Sequence, residues 1–265
     1  MSAATLKSAG SLESIEDVAF RELGETPAIK QTALNQLRQL IISDELSLHC
    51  PMDDAFLVKF LRARKYDTQA AFKNVKKYFK VRKDRPEMFK DLTPSSVPFD
   101  VVCRKHRLTT VSRHRDPMGR MAMLMKAGAW NTEICSVNDY FRLNLVLLEH
   151  FLRQEDVQVR GIVLVFDLEG LNIYHLAHYT PSVIRTLIRF AQIRLFGYDL
   201  KELHQLVPDD VIPEEHGGTN ESYDYDQLER ELESEEGFFQ NLSSYGYRDT
   251  SRKTEPESNS ELTDS

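Results

Sequence analysis

The chain has 265 residues, 41% of them hydrophobic, which is enough to bury the core of one large domain or two small ones. No apolar run reaches the roughly 18 residues needed to span a bilayer, and the polar start lacks the apolar centre of a signal peptide, so we expect a cytoplasmic protein. The cysteines, Cys50, Cys103 and Cys135, lack C-x-x-C spacing and argue against a disulfide framework or a structural zinc site.

Charge is unevenly distributed along the chain. The net charge is −7, and residues 221–236 alone hold eight acidic side chains and one arginine. Residues 59–90 hold twelve Lys and Arg side chains against three acidic ones. A basic and an acidic segment on one chain favour an anionic partner such as a membrane surface or nucleic acid, although charge runs are also typical of ordinary solvated faces.

The first third of the chain has the pattern of a small helical bundle. Residues 1–27 are weakly patterned, and we expect them to be flexible. Apolar residues at three- and four-residue spacing predict a helix directly after them, and Asp53 or Asp54 is expected to cap a second. A third helix begins near Thr68. These helices form a predicted N-terminal domain over residues 28–92.

A second domain is predicted over residues 93–219. Two short β-like runs flank Asp116–Arg120, whose proline and glycine suit a tight reversal, so we predict an antiparallel hairpin. Residues 140–151 are helical by pattern. The nearly continuous apolar run Gly161–Leu168 is typical of a central parallel strand covered on both faces. A single acidic helix over 220–248 and a disordered tail over 249–265 follow.

Catalysis is the weaker functional class for this sequence. The chain has no G-x-S-x-G elbow, P-loop, G-x-G-x-x-G after a strand, or H-E-x-x-H. His175 and His178, with Asp167 and Glu169 upstream, are formally compatible with a metal site. Asp167 and Glu169 lie at the end of the predicted buried strand, where we expect them to cap or fix the following loop. We expect no enzyme, metal or cofactor.

The most informative pattern is apolar: one face of the helix around residue 145 and one face of the strand could together line a cavity. Ordinary core packing explains every member except Asn144, an amide that needs hydrogen-bond partners in such a stripe. From residue types alone, core packing and a ligand pocket both remain open. The set comprises Phe141, Asn144, Leu145 and Leu148 on the helix with Ile162, Leu164 and Phe166 on the strand.

Several motifs together resemble a known family. They are Asp53–Asp67 (DDAFLVKFLRARKYD), Asp116–Arg120, Lys126–Trp130 (KAGAW), Gly161–Leu171 (GIVLVFDLEGL), Thr180–Val183 and Leu206–Thr219, which ends PEEHGGT. By these motifs the chain is similar, from about residue 28 to 248, to the CRAL-TRIO lipid-transfer proteins, in the branch of α-tocopherol transfer protein and retinaldehyde-binding protein. The resemblance implies an α/β fold, in which an N-terminal helical bundle precedes a sheet flanked by helices that encloses one hydrophobic ligand.

The resemblance also implies a ligand site. The pocket wall would comprise the helix and strand residues above, together with Leu187, Phe190 and Ala191 on the next helix. Asn144 would contact the polar head group of the ligand and contribute to its orientation or selectivity. The implied function is intracellular binding and transfer of a hydrophobic small molecule of the tocopherol, retinoid or phospholipid class.

A membrane-docking surface is the second implication. The family meets phosphoinositides through a basic surface, and Arg62 and Arg64 match its arginine-rich motif. Charge pattern alone adds Lys73, Lys76 and Lys77. We therefore predict transient peripheral association with intracellular membranes and no nucleic-acid partner; the sequence leaves protein partners unknown.

The chain departs from the family between Gln192 and Phe196. Family members carry a further strand and a mobile gate helix there, and about forty residues are missing from this sequence. Topology leads to the same gap, because the helix predicted from Pro181 has no following strand to reach. An incomplete sheet favours a rival function: a truncated, non-transferring adaptor or dominant-negative variant without a closed pocket. An exon-skipped product, a defective gene model and a divergent functional member all fit this departure.

Overall fold

The computed structural model describes residues 13–44, 48–179, 203–204, 207–219 and 224–247 of the chain. Its helices are α1 (Ile15–Leu23), α2 (Pro27–Ile42), α3 (Asp54–Arg62), α4 (Thr68–Asp84), α5 (Pro86–Phe89), α6 (Val137–Phe151), α7 (Glu155–Arg160), α8 (Ile173–His178), α9 (Tyr225–Ser234) and α10 (Glu236–Ser243). Its strands are β1 (Leu48–His49), β2 (Thr109–Val111), β3 (Met121–Lys126), β4 (Ile162–Asp167) and β5 (Gly246–Tyr247). None of the helices in these ranges is long and apolar enough to cross a membrane.

Helices α2, α3 and α4 pack around a closed apolar core. Asp53 caps α3 by accepting a hydrogen bond from the backbone of Phe56 at 2.8 Å, and Asp67 caps α4 in the same way through Ala70 at 2.9 Å. The side chains between these helices are at most 1% exposed and come from every helix: Leu34, Leu37, Leu57, Leu61, Val75 and Phe79. The predicted helices are therefore present, and their apolar faces bury one another.

Helix α1 differs from the sequence-based expectation. The flexible segment expected up to residue 27 instead contains this helix, whose N-terminus is capped by Ser14. Val18 and Ala19 on α1 are buried against Val159 of α7. The expectation was wrong for α1 because its apolar partner is far away in sequence and invisible to a local pattern.

The second domain is built on the sheet order β2-β3-β4. Strands β2 and β3 form the predicted antiparallel hairpin, in which Asp116 accepts backbone hydrogen bonds from Met118 and Arg120, and Gly119 takes a φ of 76°. Strand β4 runs parallel to β3, as predicted. The expected coverage of β4 on both faces is not observed in the described residues: every residue of β4 is half-buried, and β4 pairs with β3 alone.

The acidic segment forms two helices, α9 and α10, where a single helix was predicted. Leu232 of α9 and Phe239 of α10 are buried in the core of the second domain, whereas Leu242 of α10 reaches the core of the N-terminal domain. Strand β5 then pairs with β1 of the N-terminal domain. The C-terminal helices thus bind both domains together. The tail predicted over residues 249–265 lies outside the described residues.

Candidate functional site

Helix α6 presents an incompletely covered apolar stripe. The hydroxyl of Ser136 caps the helix by accepting a hydrogen bond from the backbone N–H of Asp139 at 3.0 Å. One side of α6 is fully buried in the core of the second domain. A neighbouring side carries Phe141, Leu145 and Leu148, spaced four and three residues apart, and all three are only half-buried. Part of their apolar surface therefore remains accessible.

Strand β4 supplies a second half-covered apolar face. The parallel register places Ile162 beside Met121, Leu164 beside Met123 and Phe166 beside Met125. Adjacent residues in a sheet point to the same face, so the three β4 side chains lie on the methionine side. The three methionines are at most 4% exposed, whereas their β4 neighbours are half-buried. These β4 residues and the α6 stripe pack against one apolar cluster, and we call the two sets together the α6–β4 wall.

The opposite face of the sheet is partly covered by a later segment of the chain. Ala122 and Val163 pack there against a group of apolar residues that follows in the chain, Leu203, Val207, Val211 and Ile212. The cavity at this face has a volume of about 10 Å³, which is the space for one water molecule. Among the described residues, this cavity is too small for a lipid-sized ligand.

The side-chain amide of Asn144 is hydrogen-bonded within the protein. Its side chain is 3% exposed, its oxygen accepts from the Thr109 hydroxyl at 3.1 Å, and its nitrogen donates to the carbonyl of Tyr140 at 2.8 Å. These contacts tie α6 to β2. An amide has two donors and two acceptor positions, so each end of Asn144 retains one further hydrogen-bonding position.

Three predicted wall residues, Leu187, Phe190 and Ala191, lie outside the described residues, as does the departure at Gln192–Phe196. The structure therefore brings together the α6 and β4 members of the predicted site and leaves the predicted third wall undescribed.

The candidate catalytic and metal residues take structural roles. His175 is 4% exposed, and its Nε2 lies 2.9 Å from the carbonyl oxygen of Trp130. Asp167 at the end of β4 lies 3.0 Å from Nε2 of His216, which belongs to the PEEHGGT motif. Within the described ranges, no group of three His, Cys, Asp or Glu side chains is arranged to hold a metal ion.

Arg62 does not belong to an exposed basic surface, which corrects its assignment as a membrane residue. Its side chain is 2% exposed and lies 2.8 Å from Glu25 and 2.5 Å from Glu155. A third contact goes to the amide oxygen of Gln158 at 2.8 Å. Burial lowers the pKa of Arg62, but the hydrogen bonds to the two glutamates outweigh burial and raise it. Arg62 thereby links the N-terminal domain to α7.

The other four basic candidates differ among themselves. Arg64, Lys73 and Lys77 are exposed, and Arg64 also donates to Asn74 at 3.0 Å. Lys76 is only partly exposed: its ammonium group lies 4.5 Å from the centre of the Phe72 ring and 3.6 Å from Asp44. An exposed cationic strip on α4 and the turn before it is therefore present without Arg62.

Sequence reasoning missed a second buried charge of the domain junction, Glu149 on α6. One of its oxygens lies 2.5 Å from the Lys59 ammonium, and the other accepts from the Tyr78 hydroxyl at 2.7 Å and from Arg82 at 3.1 Å. Burial raises the pKa of Glu149, but Lys59 and Arg82 outweigh burial and hold it at about 2. The sequence did carry an indication, because Glu149 and His150 interrupt the otherwise apolar residues 145–152.

Two sequence profiles match the chain in agreement with this architecture. The CRAL/TRIO N-terminal domain matches residues 33–77, within α2 to α4, and the CRAL/TRIO domain matches residues 105–195, which include β2 to β4 and α6. Together they cover just over half of the chain. The chain belongs to the CRAL/TRIO family, whose members bind and transfer hydrophobic molecules and are not enzymes.

Curated relatives agree with this membership. The human protein named alpha-tocopherol transfer protein-like is 28% identical over 244 residues, covering 78% of this chain and 70% of the relative. Clavesin-1 of Xenopus laevis is 28% identical over 248 residues, covering 80% of this chain and 74% of the relative. Clavesin-2 of Rattus norvegicus is 26% identical, covering 80% of this chain and 76% of the relative.

The same alignments indicate an internal gap. The human match spans 244 positions, whereas 78% of this chain is about 207 residues, so about 37 positions of the relative face no residue of this chain. The CRAL/TRIO domain match ends at residue 195, inside the segment where the family motifs place the departure. The total of about 37 positions is close to the size of one strand and one helix with their connections.

Proposed function

We propose that this protein binds a hydrophobic small molecule of the tocopherol, retinoid or phospholipid class against the α6–β4 wall and carries it between membranes. The observation that carries the proposal is the half-exposed state of Phe141, Leu145 and Leu148 on α6 and of Ile162, Leu164 and Phe166 on β4. An apolar surface left open beside a fully buried core is suited to a ligand that completes the core. Each 100 Å² of apolar surface that the ligand covers contributes about 2.5 kcal/mol.

Asn144 is the proposed selectivity residue of this site. Its remaining donor and acceptor positions suit a hydroxyl or carbonyl head group of the ligand, and its contacts to Thr109 and Tyr140 hold the amide in place. In this proposal, Asn144→Leu changes which lipid co-purifies while total loading persists. Lipidomic analysis of the two purified proteins tests this role, and an unchanged lipid profile would remove it.

Native mass spectrometry of protein purified from eukaryotic cells tests ligand binding directly, through a stoichiometric non-covalent lipid. Phe166→Asp places a charge in the wall, and Leu145→Trp fills the wall without adding a charge; both are expected to abolish loading. Ile42→Asp is the matched control, since Ile42 on α2 is 69% exposed and far from the wall. Circular dichroism confirms that each variant is folded. Loading that survives in both folded wall variants contradicts the site.

Membrane docking through phosphoinositides is the second part of the proposal. Arg64, Lys73 and Lys77 are its exposed cationic candidates, while Arg62 is excluded by its burial. Each cation near an anionic surface contributes about 1 kcal/mol. Arg64→Glu combined with Lys73→Glu should weaken co-sedimentation with vesicles containing phosphatidylinositol bisphosphate by more than tenfold. Lys105→Glu, at an exposed site in the second domain, is the control. If the double variant and Lys105→Glu lose vesicle binding equally, a specific docking surface is contradicted.

A truncated adaptor that carries no lipid is the competing function, favoured by the gap of about 37 aligned positions. This rival predicts an apolar wall that stays open to water. Binding of an environment-sensitive dye to the purified protein distinguishes the two, because a bound lipid covers the wall and suppresses the dye signal, whereas an empty wall binds dye strongly.

A further inference from the structure

A second groove lies apart from the α6–β4 wall, between the linker that joins the two domains and helix α9. Residues 94–101 form one side, and α9 forms the other. We call it the linker groove. Its volume is about 300 Å³, enough for a large side chain and part of a peptide backbone.

The floor and walls of the linker groove are apolar. Phe99 and Leu232, 6% and 2% exposed, form part of the floor. Val97, Pro98 and Val101 line the walls and are half-buried. Prolines at positions 94 and 98 restrict the backbone on this side of the groove. Because this backbone is already restricted before a ligand binds, it loses little conformational entropy on binding.

The rim of the groove is acidic. Asp100, Glu229 and Glu233 line it, and Glu233 is exposed with no ion-pair partner among the described residues. Arg104 is a cation beside this rim; it lies 2.7 Å from Glu229 and 3.5 Å from Asp100, and it also binds Asp226 at 2.7 Å. Three carboxylates therefore contact this one guanidinium, and Glu233 adds a further negative charge at the rim, so the mouth of the groove is negatively charged.

We propose that the linker groove binds a basic peptide segment of a protein partner, with one large apolar side chain on the floor and Lys or Arg side chains against the rim. Charge complementarity selects this occupant, because the negative rim attracts cations and repels both anionic membranes and nucleic acids. An open groove with an apolar floor suits an extended peptide with an anchoring side chain. Phe99 and Leu232 on the two sides of the groove belong to the core of the second domain, so the partner contacts residues 94–101 and the acidic helix at once.

Fluorescence anisotropy of the full chain with a short labelled peptide, in which one leucine is flanked by lysines, tests the proposal. We expect micromolar binding that weakens with added salt, and no binding of the analogue with glutamates in place of the lysines. Glu233→Lys should weaken binding by about tenfold, and Val101→Ser should weaken it without changing its salt dependence. Glu133→Lys, at an exposed glutamate outside the groove, is the matched control and should bind normally.

Three results would overturn the proposal. The first is no binding of the lysine peptide, and the second is an equal loss of peptide affinity in Glu233→Lys and Glu133→Lys. The third is a concentration-dependent dimer in sedimentation that the peptide displaces, because it would assign the groove to a second copy of the chain. Lipid loading measured on the same variants keeps this test separate from the proposed carrier function, since Glu233→Lys should leave loading unchanged.

Discussion

The N-terminal helical domain and the sheet domain bury their apolar faces to different extents. In the first, α2, α3 and α4 bury one another completely, and Leu37, Leu57 and Leu61 have no exposed surface. In the second, α6 and β4 are buried on one side and half-covered on the α6–β4 wall. The helical domain therefore completes its core with its own residues, whereas the described part of the sheet domain leaves an apolar surface for another group to cover.

Glu149 is where the two regions meet, and its loss should have the largest effect on stability. Glu149→Ala leaves the Lys59 and Arg82 charges without their partner at the junction, so we expect the free energy of unfolding to fall by about 4 kcal/mol. Urea denaturation followed by circular dichroism measures it. Glu133→Ala, at an exposed site, should stay within about 0.5 kcal/mol. A loss under about 1 kcal/mol for Glu149→Ala would show that water already screens the junction.

Acid should weaken the junction through the same carboxylate. The pKa of Glu149 is about 2 in the folded protein against an ordinary value of 4.5, so its contribution is present above pH 4.5 and is lost as the pH falls toward 2. The difference corresponds to about 3 kcal/mol. Unfolding free energies measured across this range should fall less steeply in Glu149→Gln than in the unmodified protein. Parallel curves would mean that other carboxylates cause the acid sensitivity.

Equivalent leucine truncations should separate the closed core from the open wall. Leu57→Ala in the helical domain is expected to cost about 3 kcal/mol, because it creates a cavity among fully buried side chains. Leu145→Ala, at a half-buried wall position, should cost about 1 kcal/mol in the lipid-free protein. Thermal unfolding of delipidated protein compares them. Equal costs would show that the wall is packed as tightly as the core.

Removing an exposed ion pair should have the smallest effect on stability, and it is the reference for the buried charges at the junction. Lys80 and Asp84 lie one helical turn apart on α4 at 2.9 Å, with side chains 69% and 49% exposed. Lys80→Ala should change the unfolding free energy by less than about 0.5 kcal/mol, because water and salt screen the pair. A larger loss, measured by the same urea denaturation, would indicate that this side chain also serves packing.

Much of the local architecture could be predicted because its causes lie within a few residues. The hairpin follows from Asp116 and Gly119 in one short turn, and the start of α3 follows from the Asp53 cap three residues before Phe56. Helix α1 was missed because its capped sequence is short and its apolar partner, Val159, belongs to a distant helix. Periodicity alone predicted the α6 and β4 members of the candidate wall, but it could not tell a half-covered stripe from a buried one.

By itself, the sequence determined the family, the caps, the hairpin and the apolar periodicity of α6 and β4, since each is encoded by neighbouring residues or by short motifs. Only the tertiary structure decided which charges are available. Arg62 and Arg64 are equivalent by charge and motif, yet Arg62 is bound by Glu25 and Glu155, which lie 37 and 93 residues away. Burial and pairing depend on contacts between distant segments, and charge counted along a chain contains no record of those contacts.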